Sequence, residues 1–284
     1  MGYIAKAKFK EGMDEKTIVK LNIYFLLPIL AFWGLLTQKI DIAIIKIPFI
    51  YLFISLVALA ISIFISKRFF NDPKDISIVS MASVTGVTGS IGIPLGLALF
   101  GESSVIYTSL INTMSMFFVY TIGTYIYSRG SFGVIKSFKN VFKMPIIWAS
   151  LIAIVFNIFG ISINKSFFKT LQMGAYAAII MQLLIFGIFL YEAKIKEIKL
   201  KTLSFSISIK FVIVPIISII ILYFLNIKGI ALKSTILEVL VPMAITNVSL
   251  ASIFDCKPKE VTTIVFISSL LFIPYIIVAT YLLK

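Results

Sequence analysis

The sequence predicts an all-α polytopic membrane protein with nine spanning helices, and three observations predict it. Hydrophobic residues make up 60% of the 284 residues and charged residues only 13%, whereas soluble domains average about 25% charged. Apolar windows of about 20 residues, long enough to cross the hydrocarbon core of a bilayer, recur along the whole chain. The basic residues concentrate in alternate loops between these windows, which is typical of polytopic membrane proteins.

The composition also excludes several classes of function. The formal charge of +14 is explained by basic loops, so it does not indicate a nucleic-acid partner. The chain has one cysteine and no histidine, which excludes a Cys/His metal cluster and a Ser-His or Cys-His nucleophile pair. The first twenty residues hold five lysines and no apolar stretch typical of a signal peptide. We therefore predict no enzyme activity, no metal and no cofactor.

The spans follow from the apolar windows and are checked by the loop charges. The predicted spans are Leu21 to Gln38, Ile42 to Ser66, Ile76 to Phe100, Ser104 to Tyr127, Met144 to Ile161, Leu171 to Tyr191, Leu203 to Asn226, Ile236 to Phe254 and Val261 to Leu283. With the N-terminus of this chain in the cytoplasm, 19 of the 26 basic residues lie on the cytoplasmic side and 7 outside. A missed or invented span would invert this alternation downstream, so the charges support an odd count and an outside C-terminus.

Two of the spans carry a proline and helix-weakening residues in their interiors. In the third span, four glycines surround Pro94, and in the eighth span three polar residues follow Pro242. Proline lacks an N–H and clashes with the preceding turn, so each helix is expected to break or kink near its proline. In lipid, the freed backbone groups survive only where protein or a wet cavity satisfies them. An ordinary kink remains the alternative for either span taken alone.

The two interrupted spans lie five spans apart, so they cross the membrane in opposite directions. Such a pair is the sequence signature of an inverted-repeat transporter with its binding site near the midplane. We therefore divide the single membrane domain, residues 1–284, into a first repeat at 21–127 and a second at 144–283. Two five-span repeats need ten spans, so the first repeat lacks its first helix, which is expected to precede Met1.

Four segments carry a family resemblance that covers nearly the whole chain. They are MDEKTIVKLNIYFLLPILAF, GSIGIPLGLALFGESSVIYTSLINTMSMFFVYTIG, KMPIIWASLIAI and VPMAITNVSLASIFDCKPKEVTTIVFISSLLFIP. The chain resembles the auxin efflux carrier family, which includes plant auxin exporters and prokaryotic malonate or malate permeases. The resemblance implies ten spans, two inverted five-helix repeats whose broken helices cross at the substrate site, elevator-like movement and a homodimer.

The chain departs from the family pattern at three places. Val87 stands where the family commonly has an asparagine seven residues before the first crossing proline, and Ser252 stands where an acidic residue is often found. The proline of the family's seventh helix is absent from AYAAIIMQLLIFG. These departures leave the fold prediction unchanged and the identity of the substrate open.

The predicted binding residues surround the two broken helices. Segments beginning just after Pro94 and Pro242 would present helix N-termini, whose free N–H groups and positive dipole end suit an anion. The neighbouring polar candidates are Thr85, Thr88 and Ser90 in the third span, Thr246, Asn247 and Ser249 in the eighth, Asn112 in the fourth and Gln182 in the sixth. For each hydroxyl, the alternative is a hydrogen bond to the carbonyl four residues back in its own helix.

Charged groups are expected to avoid the membrane interior. All twelve acidic residues are placed in the leading segment, loops or span ends, with Glu102, Glu238 and Asp255 closest to the core. Lys210 is expected to extend to the interface, with an internal counter-charge as the alternative. Without a buried acidic residue, the sequence favours uniport over proton coupling, and sodium held by backbone carbonyls at the crossing stays open.

These observations predict a multi-pass protein of the cell membrane that carries a small organic anion, such as a carboxylate, by secondary or facilitated transport. Its predicted partners are that anion, the lipid bilayer and a second copy of the chain. Two alternatives stay open: a carrier of a neutral or amphipathic solute, and a membrane sensor or assembly protein without transport activity.

Overall fold

A computed structural model describes residues 1–9, 14–37, 46–192 and 198–282, and these ranges are helical almost throughout. The helices are α1 (Gly2–Phe9), α2 (Glu15–Leu36), α3 (Lys46–Phe69), α4 (Pro73–Ala82), α5 (Thr88–Phe100), α6 (Glu102–Arg129), α7 (Val134–Phe142), α8 (Pro145–Ile158), α9 (Lys165–Glu192), α10 (Leu200–Phe224), α11 (Gly229–Leu240), α12 (Thr246–Ile253) and α13 (Pro258–Leu282). The predicted all-α class is confirmed.

Six of the described helices are long and apolar enough to cross a bilayer: α2, α3, α6, α9, α10 and α13. The pair α7 and α8, bent by 49°, makes a seventh if it is taken as one span. Large apolar side chains such as Phe64, Ile180 and Ile219 are exposed on the outer faces, as contact with lipid requires. The chain is therefore a multi-pass membrane protein. The ends of three predicted spans, Gln38, Ile42 and Leu283, lie outside the described residues.

The remaining two predicted spans, the third and the eighth, are interrupted helices. The third consists of α4 and α5, and the eighth consists of α11 and α12. Residues 83–87 and 241–245 separate the halves. Each half is too short to cross the membrane alone, so the number of nine spans stays a prediction.

Three prolines inside helices follow a widened turn, whereas Pro274 lies within α13 without one. A π-helical turn at Asn22–Leu26 precedes Pro28, one at Thr88–Gly92 precedes Pro94, and one at Ile209–Ile213 precedes Pro215. Proline cannot donate to the carbonyl four residues back and its ring crowds that carbonyl. Widening the preceding turn relieves this conflict without ending the helix.

This device corrects the expectation for the third span. The helix does not break at Pro94, which lies inside α5, but between Ala82 and Thr88. In the eighth span, by contrast, Pro242 itself lies in the break, because α11 ends at Leu240 and α12 begins at Thr246.

The helices pack in two groups. In the first group, α8 packs along α2, and α9 packs against both α1 and α2, with aromatic contacts such as Trp33 on Tyr176. In the second group, α3 packs against α4, α6 and α10, while α11 packs against α5, α6 and α10, and α12 packs against α13. Both interrupted helices belong to the second group. They lie where the second group of helices packs against the first group.

Candidate functional site

The two breaks cross and satisfy each other's backbone groups. Gly86 and Met243 pair in antiparallel fashion. On either side, the N–H of Val87 donates to the carbonyl of Pro242 at 2.9 Å, and the N–H of Ala244 donates to the carbonyl of Thr85 at 3.3 Å. Unpaired backbone groups at membrane depth cost several kcal/mol each. Each break therefore supplies hydrogen-bond partners for backbone groups that the other break leaves unpaired.

A cavity of about 350 Å³ lies beside this crossing, between the two groups of helices. The first group contributes Trp33 of α2, Ser150 of α8 and Gln182 of α9, and the second contributes Asn112 of α6. The remaining wall comes from the crossing itself, at residues 86–90 and 244–246. The lining is largely apolar with a few polar groups, which is typical of small-molecule sites.

The polar groups of the cavity converge on two helix N-termini. Thr88, the first residue of α5, donates a hydrogen bond to Asn112 Oδ1 at 2.8 Å. Thr246, the first residue of α12, has a buried hydroxyl without a hydrogen-bond partner in the described part of the chain. First-turn N–H groups carry the positive end of the helix dipole. Those of α5 lack partners within their own helix, whereas at α12 the N–H groups of Asn247 and Val248 already donate to the carbonyls of Ala244 and Ile245. Both ends therefore offer the cavity positive potential without a charged side chain.

The comparison with known proteins identifies the family. A family model described as a membrane transport protein matches residues 1–280 of this chain. The chain belongs to the membrane transport protein family. This match confirms the family resemblance that the sequence motifs indicated. The chain is also 25% identical to an uncharacterized transporter of Methanocaldococcus jannaschii over 193 residues, which cover 66% of this chain and 62% of the relative.

Five of the ten residues predicted from the sequence line the cavity of this membrane transport protein: Thr88, Ser90, Asn112, Gln182 and Thr246. The other five do not line it. Pro94 lies within α5 and Pro242 within the second break. Thr85, in the first break, and Asn247 and Ser249, in α12, are buried, and Asn247 hydrogen bonds to Thr85. Among the described residues, no group of three or more His, Cys, Asp and Glu is placed to hold a metal ion.

The sequence analysis missed other cavity residues, including Trp33, Tyr120 and Ser150. Tyr120 is held by Gln182, whose Nε2 donates to the tyrosine hydroxyl at 3.4 Å. The only sequence signal for these residues is a polar or amphipathic side chain within a span, and that signal does not say which helix face meets the crossing.

Two charged residues correct the sequence-based expectation. Lys210 does not extend to the interface: its side chain is 1% exposed, and its Nζ donates to the carbonyl of Val239 at 3.1 Å. Glu238 is fully buried rather than placed at a span end. The reason is that α11 begins at Gly229, well before the predicted start of the span at Ile236, so Glu238 lies inside the protein.

Proposed function

We propose that the protein is a secondary carrier of a small organic anion, with a carboxylate as the substrate class. The observation that carries the proposal is the cavity at which the N-termini of α5 and α12 meet. The free N–H groups at the start of α5 and the positive ends of both helix dipoles form a ready anion site. A membrane transport protein with such a site between two helix groups is suited to bind an anion and to expose it on either side.

The cavity wall explains how an anion is held without a buried countercharge. No charged side chain lines the cavity among the described residues. Donors come instead from Ser90, Asn112, Gln182 and Thr246, together with the first-turn N–H groups of α5. The apolar remainder, which includes Trp33, suits a substrate with a hydrophobic or compact organic body.

The arrangement of the interrupted helices supports an inverted-repeat fold with nine spans in this chain. The two breaks pair in antiparallel fashion, and both second halves begin at the cavity. Opposite directions through the membrane are what two inverted repeats, 21–127 and 144–283, require at such a crossing. The loop charges support an orientation with the N-terminus of this chain in the cytoplasm and its C-terminus outside.

The position of the cavity supports elevator-type movement. Its walls are divided between the group of α2, α8 and α9 and the group that carries the crossing. Sliding of the crossing group along the other would carry the bound anion across without dismantling the crossing. The contacts that move in this scheme are those between the groups, since the crossing is held by its own backbone hydrogen bonds.

Transport by purified protein in proteoliposomes tests the proposal. We expect saturable exchange of labelled malate, malonate or indole acetate. Thr246→Val keeps the size of the side chain but removes the free hydroxyl, and should raise the KM for the transported acid. Thr121→Val is the matched control, because the Thr121 hydroxyl donates to Phe117 within α6 and does not line the cavity. Absence of saturable exchange for all three acids, with folded full-length protein, would refute an organic-anion carrier.

A neutral amphipathic solute is a second candidate, and the absence of charged lining residues among those described favours it. Competition distinguishes the two candidates. For an anion carrier, malonate should compete with labelled substrate while malonamide, its uncharged diamide, should not. Equal competition by acid and amide would favour the neutral solute.

A further inference from the structure

Glu238 is a buried carboxyl group within the membrane protein. It lies in α11 and is 0% exposed, and neither of its oxygens has a hydrogen-bond partner in the described part of the chain. The carboxyl group packs against α5 at Gly92, where a methyl group added to the glycine would overlap Oε2. A buried carboxyl group is costly unless it carries a proton or its charge is balanced, so it marks a site where protons can bind.

Lys210 provides the balancing charge and reaches towards the substrate cavity. Its Nζ donates to the carbonyl of Val239, the residue that follows Glu238, although Lys210 and the Glu238 carboxylate form no ion pair within 4.0 Å. A methyl group added to Gly86 would lie 3.3 Å from Lys210 Nζ, and Gly86 lines the cavity. The ammonium group therefore lies directly behind the cavity wall, and the absence of a side chain at Gly86 allows this approach.

We propose that Glu238 and Lys210 form a proton-binding pair that couples transport of the organic anion to one proton in symport. This proposal rests on the proposed function. When a proton binds to a Glu238 carboxylate oxygen and forms an O–H bond, the pair is left with the net positive charge of Lys210 behind Gly86. That charge favours an anion in the cavity. When the O–H bond breaks on the other side of the membrane and the proton leaves, the pair is neutral again and the anion is released.

The surroundings of Glu238 leave Lys210 as its charged neighbour. The helices packed against α11 are α3, α5, α6 and α10. On α3 only Tyr51 among the titratable residues is buried, and α5 contains no titratable residue. In the adjoining part of α6, Glu102 is exposed and Tyr107 is half-buried. On α11 itself, Lys233 lies over the ring of Phe100.

The state described here keeps the pair away from water. Glu238 does not line the cavity. The first break at Gly86 and helix α5 at Gly92 lie between the cavity and the pair of Lys210 and Glu238. Proton exchange therefore requires displacement of α5 from α11. Binding and release of the proton therefore depend on the same movement of the helices that transports the substrate.

Accumulation in proteoliposomes tests this coupling. Labelled malate or malonate is supplied outside vesicles whose membrane potential is clamped at zero with valinomycin and equal potassium. With the exterior more acidic by a single pH unit, one-proton symport should accumulate the acid about tenfold inside, because that gradient is worth about 1.4 kcal/mol. Glu238→Gln should exchange the acid at equal pH but no longer accumulate it. Glu102→Gln, an exposed glutamate on α6, is the matched control and should accumulate as the unmodified protein does.

A second variant guards against misfolding of the first. Glu238→Gln combined with Lys210→Met removes both charges, so no buried charge is left unbalanced, and it should likewise exchange without accumulating. Exchange by the unmodified protein with no response to the pH gradient would overturn proton coupling and leave the carrier function standing. Accumulation by Glu238→Gln equal to that of the unmodified protein would also overturn it. Loss of exchange in both variants, with folded protein by thermal unfolding, would assign the pair to packing and overturn it too. Absence of exchange by the unmodified protein would refute the carrier function and this proposal together.

Discussion

Asn247 Nδ2 donates a hydrogen bond to Thr85 Oγ1 across 2.8 Å, and this bond joins the two interrupted helices through their side chains. Asn247 also donates to the carbonyl of Ala244 at 2.9 Å and accepts from the hydroxyl of Tyr127 at 3.2 Å. The side chains of Asn247, Thr85 and Tyr127 are all buried. Because one amide connects both breaks and α6, it stabilises the crossing that forms the cavity wall.

Asn247→Ala should therefore lower stability as well as transport. The substitution leaves the buried hydroxyl of Tyr127 without its acceptor, which costs about 1–3 kcal/mol. Thermal unfolding followed by the fluorescence of Trp33 and Trp148 measures the loss. In a Tyr127→Phe background the loss should be smaller, because no orphaned donor remains. Strictly additive losses in the double variant would show that the Tyr127 contact contributes nothing.

Gly89→Ala should impair transport by displacing a cavity residue. The new methyl group would lie 2.9 Å from Asn112 Oδ1, so the Asn112 side chain must shift, which disturbs its hydrogen bond from Thr88. We expect a raised KM for the transported acid, measured as initial rates in proteoliposomes. Gly133→Ala is the control, because nothing lies within 4 Å of the added methyl group. An unchanged KM for Gly89→Ala would remove Asn112 from the binding site.

The residues show why the sequence predicts some features of this site and not others. Pro94 and Pro242 mark the interrupted spans because the constraint of a proline acts within its own helix turn. The sequence does not distinguish the role of Thr85 from that of Thr88. Because the break falls at residues 83–87, Thr85 contacts Asn247 and Thr88 lines the cavity. Glu238 was misplaced because hydropathy detects apolar windows and not the burial of a charge by packing between α5, α10 and α11.

An ionic cluster at the beginning of α4 should make stability depend on pH. Lys257 Nζ donates to Asp72 Oδ2 at 2.5 Å and also to Asp75, which Lys199 contacts at 2.7 Å. The hydrogen bond from Lys257 holds the pKa of Asp72 below its ordinary value of 3.8. Burial lowers the pKa of Lys257, but its bonds to Asp72 and Asp75 outweigh burial and raise the pKa above the ordinary 10.5.

The sign of the dependence follows from these shifts. The contribution of Asp72 is present above pH 3.8 and is lost as the pH falls through its lower folded-state pKa. The contribution of Lys257 is present below pH 10.5 and is lost as the pH rises through its higher folded-state pKa.

Lys257→Met should lower the melting temperature at neutral pH, and the difference from the unmodified protein should shrink in strong acid and in high salt. Lys67→Met, an exposed lysine at the end of α3, should show no such pH-dependent difference, and a constant difference for Lys257→Met from neutral pH to strong acid would contradict the role of the cluster.

The orientation derived from the loop charges can be tested with single introduced cysteines. The native thiol of Cys256 is fully buried and donates to the carbonyl of Tyr127 at 3.1 Å. Burial raises its pKa to about 11, so it should not react with a maleimide in folded protein.

Ser162→Cys, in the exposed loop between α8 and α9, should be labelled by a membrane-impermeant maleimide in intact cells, because this loop is predicted to lie outside. Lys139→Cys, on the exposed face of α7, should be labelled only after the membrane is permeabilised. The reverse pattern would invert the topology and with it the assignment of the N-terminus to the cytoplasm.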